Sequence, residues 1–182
     1  MRVGNFYTFG MLAQKGRAEY VNNYWLEPVA MKPRFKTILW IVLAVLVLSQ
    51  LIPVDRSVPE VDPAQDFLAV VDAPPAMATL IKDACYDCHS YQTTYPWYAN
   101  ISPISFWIQG HIKGGRQNLN FSEWTAYPAD KAAHKLEEAF EEVEERHMPM
   151  KSYTWLHPEA SMSDEQVGAL AQWFQQTYRS QQ

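Results

Sequence analysis

The chain has 182 residues, 48% of them hydrophobic and 14% aromatic, a composition that excludes a disordered chain and suits one domain with an appendage. Residues 1–37 carry six Lys or Arg against two acids, whereas residues 38–182 carry nine against eighteen, so the net charges are +4 and −9. An acidic domain of this kind binds phosphate backbones poorly, which argues against a nucleic-acid partner.

The first predicted element is an apolar helix that follows a basic segment. Three basic residues within positions 32–36 precede residues 38–52, in which only Ser49 and Gln50 are polar. We predict a single transmembrane signal anchor over residues 37–54, and the absence of a small-x-small cleavage site favours this over a signal peptide. A buried core helix is the third interpretation. Basic residues on the N-terminal side predict a cytoplasmic tail of residues 1–36.

The segments on either side of this helix are less regular. Residues 1–30 show no clear amphipathic period and precede Met31, which leaves two interpretations: a cytoplasmic tail, or an extension that is absent because translation begins at Met31. Residues 55–75 are rich in Pro and Asp and are predicted to form a linker, with a brief helix between residues 64 and 71 as an addition. The domain itself is predicted over residues 76–182.

Five residues at the predicted end of a helix, Cys85-Tyr86-Asp87-Cys88-His89, form the motif C-x-x-C-H. Two thiols at this spacing can each reach one vinyl group of a haem, and the imidazole that follows is then held beside the iron. We predict one haem c attached through Cys85 and Cys88, with His89 as the proximal iron ligand. Half of a zinc site and a thiol redox pair are the alternatives, although no second Cys pair and no βαβ pattern supports them.

The region after the motif supplies candidate walls and ligands for the haem. Trp97 lies in an aromatic loop and is a candidate for the haem pocket, with ordinary core packing as the alternative. A helix is predicted over residues 103–113, and the two glycines that follow are expected to end it. His111 lies beside the apolar face of this helix and is a candidate distal iron ligand. Arg116 is a candidate partner of the haem propionates.

A long helix is predicted from about Pro128 to about Arg146. Its apolar stripe faces the core, and six Glu residues lie elsewhere on its surface. We interpret these acids as a solvated face, with docking of a basic redox partner protein as the alternative.

The segment His147-Met148-Pro149-Met150 follows that helix. A Met-Pro step at such a position is how many small cytochromes c present their distal thioether, so Met148 is the favoured sixth iron ligand. Met150, His147 and His111 are the alternatives, and a Met that fills a gap in the core is the purely structural interpretation.

The last helix is predicted from the capping-box pattern of Ser163 and Gln166 and from the apolar spacing that follows it. In a cytochrome c fold this terminal helix crosses the helix that precedes the haem motif. No strand is predicted. The expected fold class is therefore all-α, a cytochrome c-like haem domain preceded by a single transmembrane helix.

Several separate segments together carry a family resemblance. They are Leu51–Arg56, Ala84–Ser90, Tyr95–Tyr98, Asn118–Trp124 and His147–Tyr153. In this succession the chain resembles the bacterial haem-binding domain family of small, membrane-anchored c-type cytochromes, over residues 38–174. The resemblance implies covalent haem c in an exported helical domain, and it implies no defined reaction.

These observations predict an electron carrier. We expect one-electron transfer at the outer face of the cytoplasmic membrane, with the domain in the periplasm or at the cell exterior. No general acid, base or nucleophile constellation stands out, which favours a carrier over an enzyme. If the sixth iron position were open or weakly held, the chain would instead be a gas or redox sensor or a peroxidase-like protein.

Overall fold

The computed structural model describes residues 33–180, and within this range all regular secondary structure is helical, as predicted. The described residues fall into two units, the first ending at Leu48 and the second beginning at Ser49. Most of the predicted tail, and with it the question of the start site, lies outside the described residues.

The first described helix, α1 (Pro33–Ser49), contains no acidic residue, and its apolar side chains are exposed. No helix within residues 33–180 combines the length and the apolar character that crossing a membrane requires. The predicted transmembrane helix over residues 37–54 is therefore not found in this range.

The second unit is built from short and long helices. Its α-helices are α2 (Phe67–Val70), α3 (Pro75–Ile81), α4 (Asp87–His89), α5 (Ile104–Asn118), α6 (Ala129–Glu144), α7 (Lys151–Thr154) and α8 (Asp164–Ser180). A π-helical turn, Lys82–Tyr86, joins α3 to α4. Short 3-10 helices lie at Pro63–Gln65, Trp97–Asn100, Phe121–Ala126 and Pro158–Ala160.

The centre of the core is Phe67, which is fully buried. Its ring centroid lies 5.0 Å from that of Phe121, 4.6 Å from that of Trp124 and 6.4 Å from that of Phe174. Large aromatic rings contribute much of the apolar area that a small domain buries. Phe67 falls within the predicted linker of residues 55–75, so the packed domain begins earlier than residue 76.

Helices α6 and α8 form the most extensive helix pair. Leu136 and Val143 of α6 and Leu170 and Phe174 of α8 are buried in one apolar cluster, at the spacing that places residues on one face of a helix. The predicted position of α6 is confirmed within two residues at each end. The terminal helix has α6 as its main partner, whereas the sequence led us to expect a crossing with the helix before the haem motif.

The ends of these two helices have identifiable causes. Arg146 has a φ of 60°, a left-handed conformation that ends α6, and its side chain pairs with Asp164 at the start of α8. The capping box before α8 is formed as predicted. The Ser163 N–H donates to Gln166 Oε1 at 2.9 Å, and the Gln166 N–H donates to Ser163 Oγ at 3.2 Å.

Helix α5 differs from its prediction. It continues through Gly114 and Gly115 to Asn118 instead of ending at residue 113. Both glycines have ordinary helical φ values, since no glycine among the described residues has a positive φ. Gly115 makes a close contact with the backbone of Cys88 and does not end the helix.

Candidate haem site

The C-x-x-C-H motif lies on one continuous helical segment made of α3, the π turn and α4. Cys85 belongs to the π turn, whereas Cys88 and His89 belong to α4. Such π turns insert an extra residue into a helix and occur frequently at functional sites. The predicted placement of the motif at a helix end is confirmed, while the π turn itself has no signature that sequence periodicity would reveal.

The first residue between the two cysteines, Tyr86, anchors the motif to the core. Its hydroxyl donates to Asp66 Oδ1 at 2.7 Å, and both residues are buried. Asp66 also accepts from the Leu68 N–H at 3.0 Å and from Gln92 Nε2 at 2.9 Å. Burial, together with the carboxylate of Asp66, raises the pKa of the Tyr86 phenol well above its usual range. The buried carboxylate is thus satisfied by three donors, one of them from the motif.

The second residue between the cysteines, Asp87, also holds the motif through hydrogen bonds to its carboxylate. Tyr153 OH donates to Asp87 Oδ2 at 2.8 Å, and the Thr94 N–H donates to Asp87 Oδ1 at 2.8 Å. Burial and this contact raise the pKa of the Tyr153 phenol. Because Tyr153 lies on α7, the bond ties the motif to the segment that follows the Met-Pro-Met sequence.

His89 is positioned through one ring nitrogen. Its Nδ1 lies 3.0 Å from the carbonyl oxygen of Leu119. A carbonyl oxygen can only accept, so Nδ1 carries the proton and Nε2 presents its lone pair. Burial lowers the pKa of His89, against the opposing effect of the carbonyls of Leu119 and Gly115. The imidazole is therefore held neutral, which is the state that ligates a metal.

Gly115 lets α5 approach the motif closely. A Cβ atom at this position would lie 2.6 Å from the carbonyl oxygen of Cys88 and 3.3 Å from its Cβ, whereas a Cβ at Gly114 would meet no atom within 4 Å. Only a residue without a side chain fits the first of these positions. The helix therefore passes directly against the backbone of the second cysteine.

The two cysteines form no disulfide with each other, and burial raises the pKa of both thiols. Burial raises the pKa of Cys85 to about 12, with a further contribution from the neighbouring thiol. Burial also raises the pKa of Cys88 to about 11, with Asp87 adding to the effect and Arg116 opposing it. Catalytic and redox-active cysteines have lowered pKa values, so this environment argues against the thiol redox alternative.

A small pocket of about 60 Å³, partly open to solvent, lies beside Cys88. Its wall combines apolar and aromatic side chains with several candidate ligands. The lining residues include Tyr98, Trp107, His111, Met150, Leu156 and His157.

Comparison with protein families gave a match to the haem-binding domain over residues 44–176, which is 133 of the 182 residues. The chain belongs to the haem-binding domain family. Comparisons with curated proteins and with solved structures gave no significant match. The family resemblance drawn from the sequence motifs is thereby confirmed.

The residues of this haem-binding domain fit the cofactor that the family implies. Two free thiols and a neutral imidazole lie within five consecutive residues, and a largely apolar pocket opens beside one of the thiols. A zinc site has less support, because residues 33–180 contain no group of three His, Cys, Asp or Glu side chains that could hold a metal ion. The described donors therefore match an iron porphyrin better than an isolated metal ion.

The candidate distal ligands of the haem-binding domain separate clearly in space. Met150 and His111 line the pocket together with Cys88, whereas Met148 does not. His147 is exposed and lies 3.6 Å from Glu142 and 3.4 Å from Glu145, on the surface after α6. The sequence favoured Met148, and the pocket instead brings together two of its alternatives.

Trp97 and Arg116, which the sequence predicts to contact the haem, make different contacts in the structure. Trp97 is 75% exposed and packs edge-on against Tyr98, which itself lines the pocket. Arg116 donates from Nε to the Ser90 carbonyl at 2.8 Å and from a terminal nitrogen to Thr93 Oγ1 at 2.9 Å. Arg116 thus holds the loop that leaves the motif, and its guanidinium has protein partners where propionates were expected.

Sequence reasoning missed a hydrogen-bonded series on the pocket wall. Tyr98 OH lies 2.7 Å from His157 Nε2, and His157 Nδ1 lies 3.0 Å from Glu159 Oε1. The carboxylate can only accept, so His157 donates from Nδ1 to Glu159, and in the neutral imidazole Nε2 accepts from the Tyr98 hydroxyl. Tyr98 and His157 are 59 positions apart, so no local sequence pattern indicates this contact.

Proposed function

We propose that the chain holds one haem c covalently and transfers single electrons. Cys85 and Cys88 attach the porphyrin by thioether bonds, and Nε2 of His89 ligates the iron. The observation that carries this proposal is the 3.0 Å hydrogen bond from His89 Nδ1 to a backbone carbonyl, which leaves Nε2 as the lone-pair donor directly after the second thiol. Bound haem supplies an iron that changes oxidation state by one electron.

Covalent attachment is tested by denaturing the purified chain after expression with haem maturation proteins. We expect haem colour to remain with the denatured polypeptide, and to be lost when both cysteines are replaced, as in Cys85→Ser with Cys88→Ser. The matched control is Ser90→Ala, which removes a side chain directly after the motif but no thiol. A colourless chain whose two thiols alkylate freely would contradict the proposal.

For the distal side we propose Met150 as the iron ligand. Met150 lines the pocket beside Cys88, and its carbonyl accepts from the Tyr153 N–H at 2.9 Å, which fixes the backbone at the start of α7. His111 is the second candidate. Its Nδ1 lies 2.8 Å from the Trp107 carbonyl, so it too presents Nε2 as an acceptor.

Absorption spectra of three variants separate these ligands. We expect Met150→Ala to convert a low-spin ferric haem to a high-spin one and to abolish the long-wavelength band of methionine–iron ligation. Met148→Ala is the matched control, since it removes the neighbouring thioether and should leave the spectrum unchanged. Loss of the low-spin state in His111→Ala alone would show that the ligand is His111.

The surface of α6 suits a basic redox partner protein. Glu141 and Glu144 are exposed on this helix. Charged surfaces of this kind raise association rates with an oppositely charged partner, and added salt screens the effect. We therefore expect electron transfer to a basic acceptor protein to slow as the salt concentration rises, and to be indifferent to salt if the acids are only a solvated face.

A second candidate function follows from the series Tyr98–His157–Glu159. If the sixth iron position is open, this group on the pocket wall can exchange a proton with a small molecule bound there, which would make the chain a sensor or a peroxidase-like protein. A high-spin spectrum in the unmodified chain, with peroxide-dependent oxidation that His157→Gln abolishes, would favour this function. A low-spin spectrum without that activity favours the electron carrier.

We also propose that α1 attaches the chain to the cytoplasmic membrane, with the haem domain on the outer side. Its 17 residues span about 25 Å at 1.5 Å per residue, and lipid can thin around a short apolar segment. The support is the exposure of its apolar side chains and the basic residues before them. Alkaline carbonate washing of membranes tests this, since an attached chain stays in the pellet and a peripheral one is released.

A further inference from the structure

An exposed apolar surface lies where the chain enters the haem domain. Gln50 directly follows α1, and its side chain forms two hydrogen bonds with the backbone of Ser102, from Nε2 to the carbonyl at 2.9 Å and from the Ser102 N–H to Oε1 at 3.0 Å. Arg56 donates to Asn100 Oδ1 at 2.9 Å and lies 4.4 Å from the ring centroid of Tyr95. Residues 50–56 therefore run along residues 95–102.

The side chains around this junction are apolar and exposed. We call the following six residues the apolar edge: Leu51, Ile52, Trp97, Ile101, Ile104 and Trp107. Each is at least 41% exposed, and Leu51 and Trp97 are more than 70% exposed. Exposed apolar residues are unremarkable singly, but a continuous group of them marks an interaction surface.

The apolar edge adjoins the mouth of the haem pocket. Trp107 belongs to the edge and also lines the pocket, and Leu156, another lining residue, is 53% exposed. Ile104 lies three residues before Trp107 on α5, which places the two on the same side of the helix. Whatever covers the edge therefore also covers the opening of the pocket.

The charge around the edge differs from that of the whole domain. Residues 49–182 carry a net charge of −9, yet residues 90–122 contain no acid and two basic residues, Lys113 and Arg116, and in residues 50–56 Arg56 balances Asp55. The acids are concentrated elsewhere, mainly on α6. An apolar surface with tryptophans, in a part of the sequence that carries a net positive charge, matches the headgroup region of a bilayer that contains anionic lipid.

We propose that the apolar edge rests in the headgroup region of an anionic lipid bilayer, so that the haem pocket opens toward the membrane surface. The occupant is a bilayer, because the edge begins at the residues that directly follow α1, the helix proposed to attach the chain to lipid. A redox partner reaching the haem through this opening is then membrane-bound or lipid-soluble. This inference rests on the proposed membrane attachment and goes beyond it by giving the domain an orientation.

Photo-crosslinking of the full haem-loaded chain in phosphatidylglycerol-containing membranes tests the proposal. The photoreactive residue p-benzoylphenylalanine replaces Trp97 or Ile104 in the edge, or Glu141 on α6 as the control; all three positions are exposed. We expect phospholipid adducts, identified by mass spectrometry, at Trp97 and Ile104 and none at Glu141. An unchanged haem spectrum shows that each variant has folded.

The outcomes distinguish this inference from the membrane attachment on which it rests. If the chain is released by carbonate, both proposals are overturned. If it stays in the membrane but Trp97 and Ile104 give no lipid adduct, or give adducts only with another protein, the attachment stands and the orientation is overturned. Lys113→Gln should lower the lipid adduct about fivefold, the effect of one basic residue near an anionic surface. An equal yield in purely zwitterionic lipid would overturn the choice of anionic lipid.

Discussion

Helices α6 and α8 are held together by apolar side chains at regular spacing, whereas the segment that carries Cys85, Cys88 and His89 combines one core residue, Tyr86, with several single polar contacts. In the pair of helices, Leu136, Leu170 and their neighbours share one buried cluster. Around the haem motif, Asp66, Tyr153 and the Leu119 carbonyl each form a hydrogen bond with one residue of the motif. Apolar packing sets the stability of the domain, and directional hydrogen bonds set the position of the ligands.

The largest effect should come from the helix pair. Phe174→Ala removes a fully buried ring at the contact of α8 with the core, and we expect a loss of about 3–5 kcal/mol in the free energy of unfolding. Gln176→Ala, at an exposed position on the same helix, is the control and should change it by less than about 0.5 kcal/mol. Urea unfolding measures both.

If the packing of α6 against α8 does not position the haem ligands, the Phe174 variant should keep those ligands as long as it remains folded. We expect its absorption spectrum in the absence of urea to match that of the unmodified chain. A changed spin state in this variant would mean that the α6–α8 pair also positions the haem motif.

The next effect concerns the carboxylate behind the motif. Asp66→Ala leaves Tyr86, Gln92 and the Leu68 N–H without their common acceptor, and we expect a loss of about 2–3 kcal/mol because buried donors then lack partners. The control is Asp62→Ala, which removes an exposed cap that accepts only from the Ala64 N–H. Unlike Phe174→Ala, the Asp66 variant should also take up less covalent haem, which a haem assay on the denatured chain measures.

The two sides also differ in how far the sequence predicts them. The positions of α6 and α8 follow from apolar residues at helical spacing, and the capping box of Ser163 and Gln166 marks where α8 begins. The haem motif is recognised because its chemistry demands a fixed spacing. In each case the information lies within a few neighbouring residues.

The contacts around the motif could not be predicted in this way. Asp66 and Tyr86 are 20 positions apart, and Asp87 and Tyr153 are 66 apart, so no local pattern connects them. The prolines around Phe67 predict a linker, yet a single aromatic residue in such a segment can enter the core, as Phe67 does. Gly115 predicts a helix end because glycine is common just after the last turn of a helix. In the structure its role is to let the Cys88 backbone come close to α5.

Gly115→Ala should disturb the motif side by a smaller amount. The added Cβ atom would lie 2.6 Å from the Cys88 carbonyl oxygen, so α5 or the motif must shift, and we expect a loss of about 1–3 kcal/mol. Gly114→Ala is a closely matched control, because a Cβ there meets no atom within 4 Å and alanine favours a helix by up to about 1 kcal/mol. Thermal unfolding and the haem spectrum measure both effects. Equal behaviour of the two variants would contradict the close contact.

The smallest effect separates two roles for Arg116. The structure gives this guanidinium the Ser90 carbonyl and Thr93 Oγ1 as hydrogen-bond partners, and Thr93 in turn donates to the Asp87 carbonyl at 2.7 Å. Arg116→Gln should therefore loosen the loop after the motif and lower the free energy of unfolding by about 1 kcal/mol. If Arg116 instead pairs with haem propionates, its removal should mainly change how the reduction potential depends on pH, since the propionates titrate. Lys113→Gln, an exposed cation on the same helix, is the control for the loss of charge alone. A stability loss with an unaltered pH dependence of the potential would assign Arg116 to the polar contacts that hold the motif side.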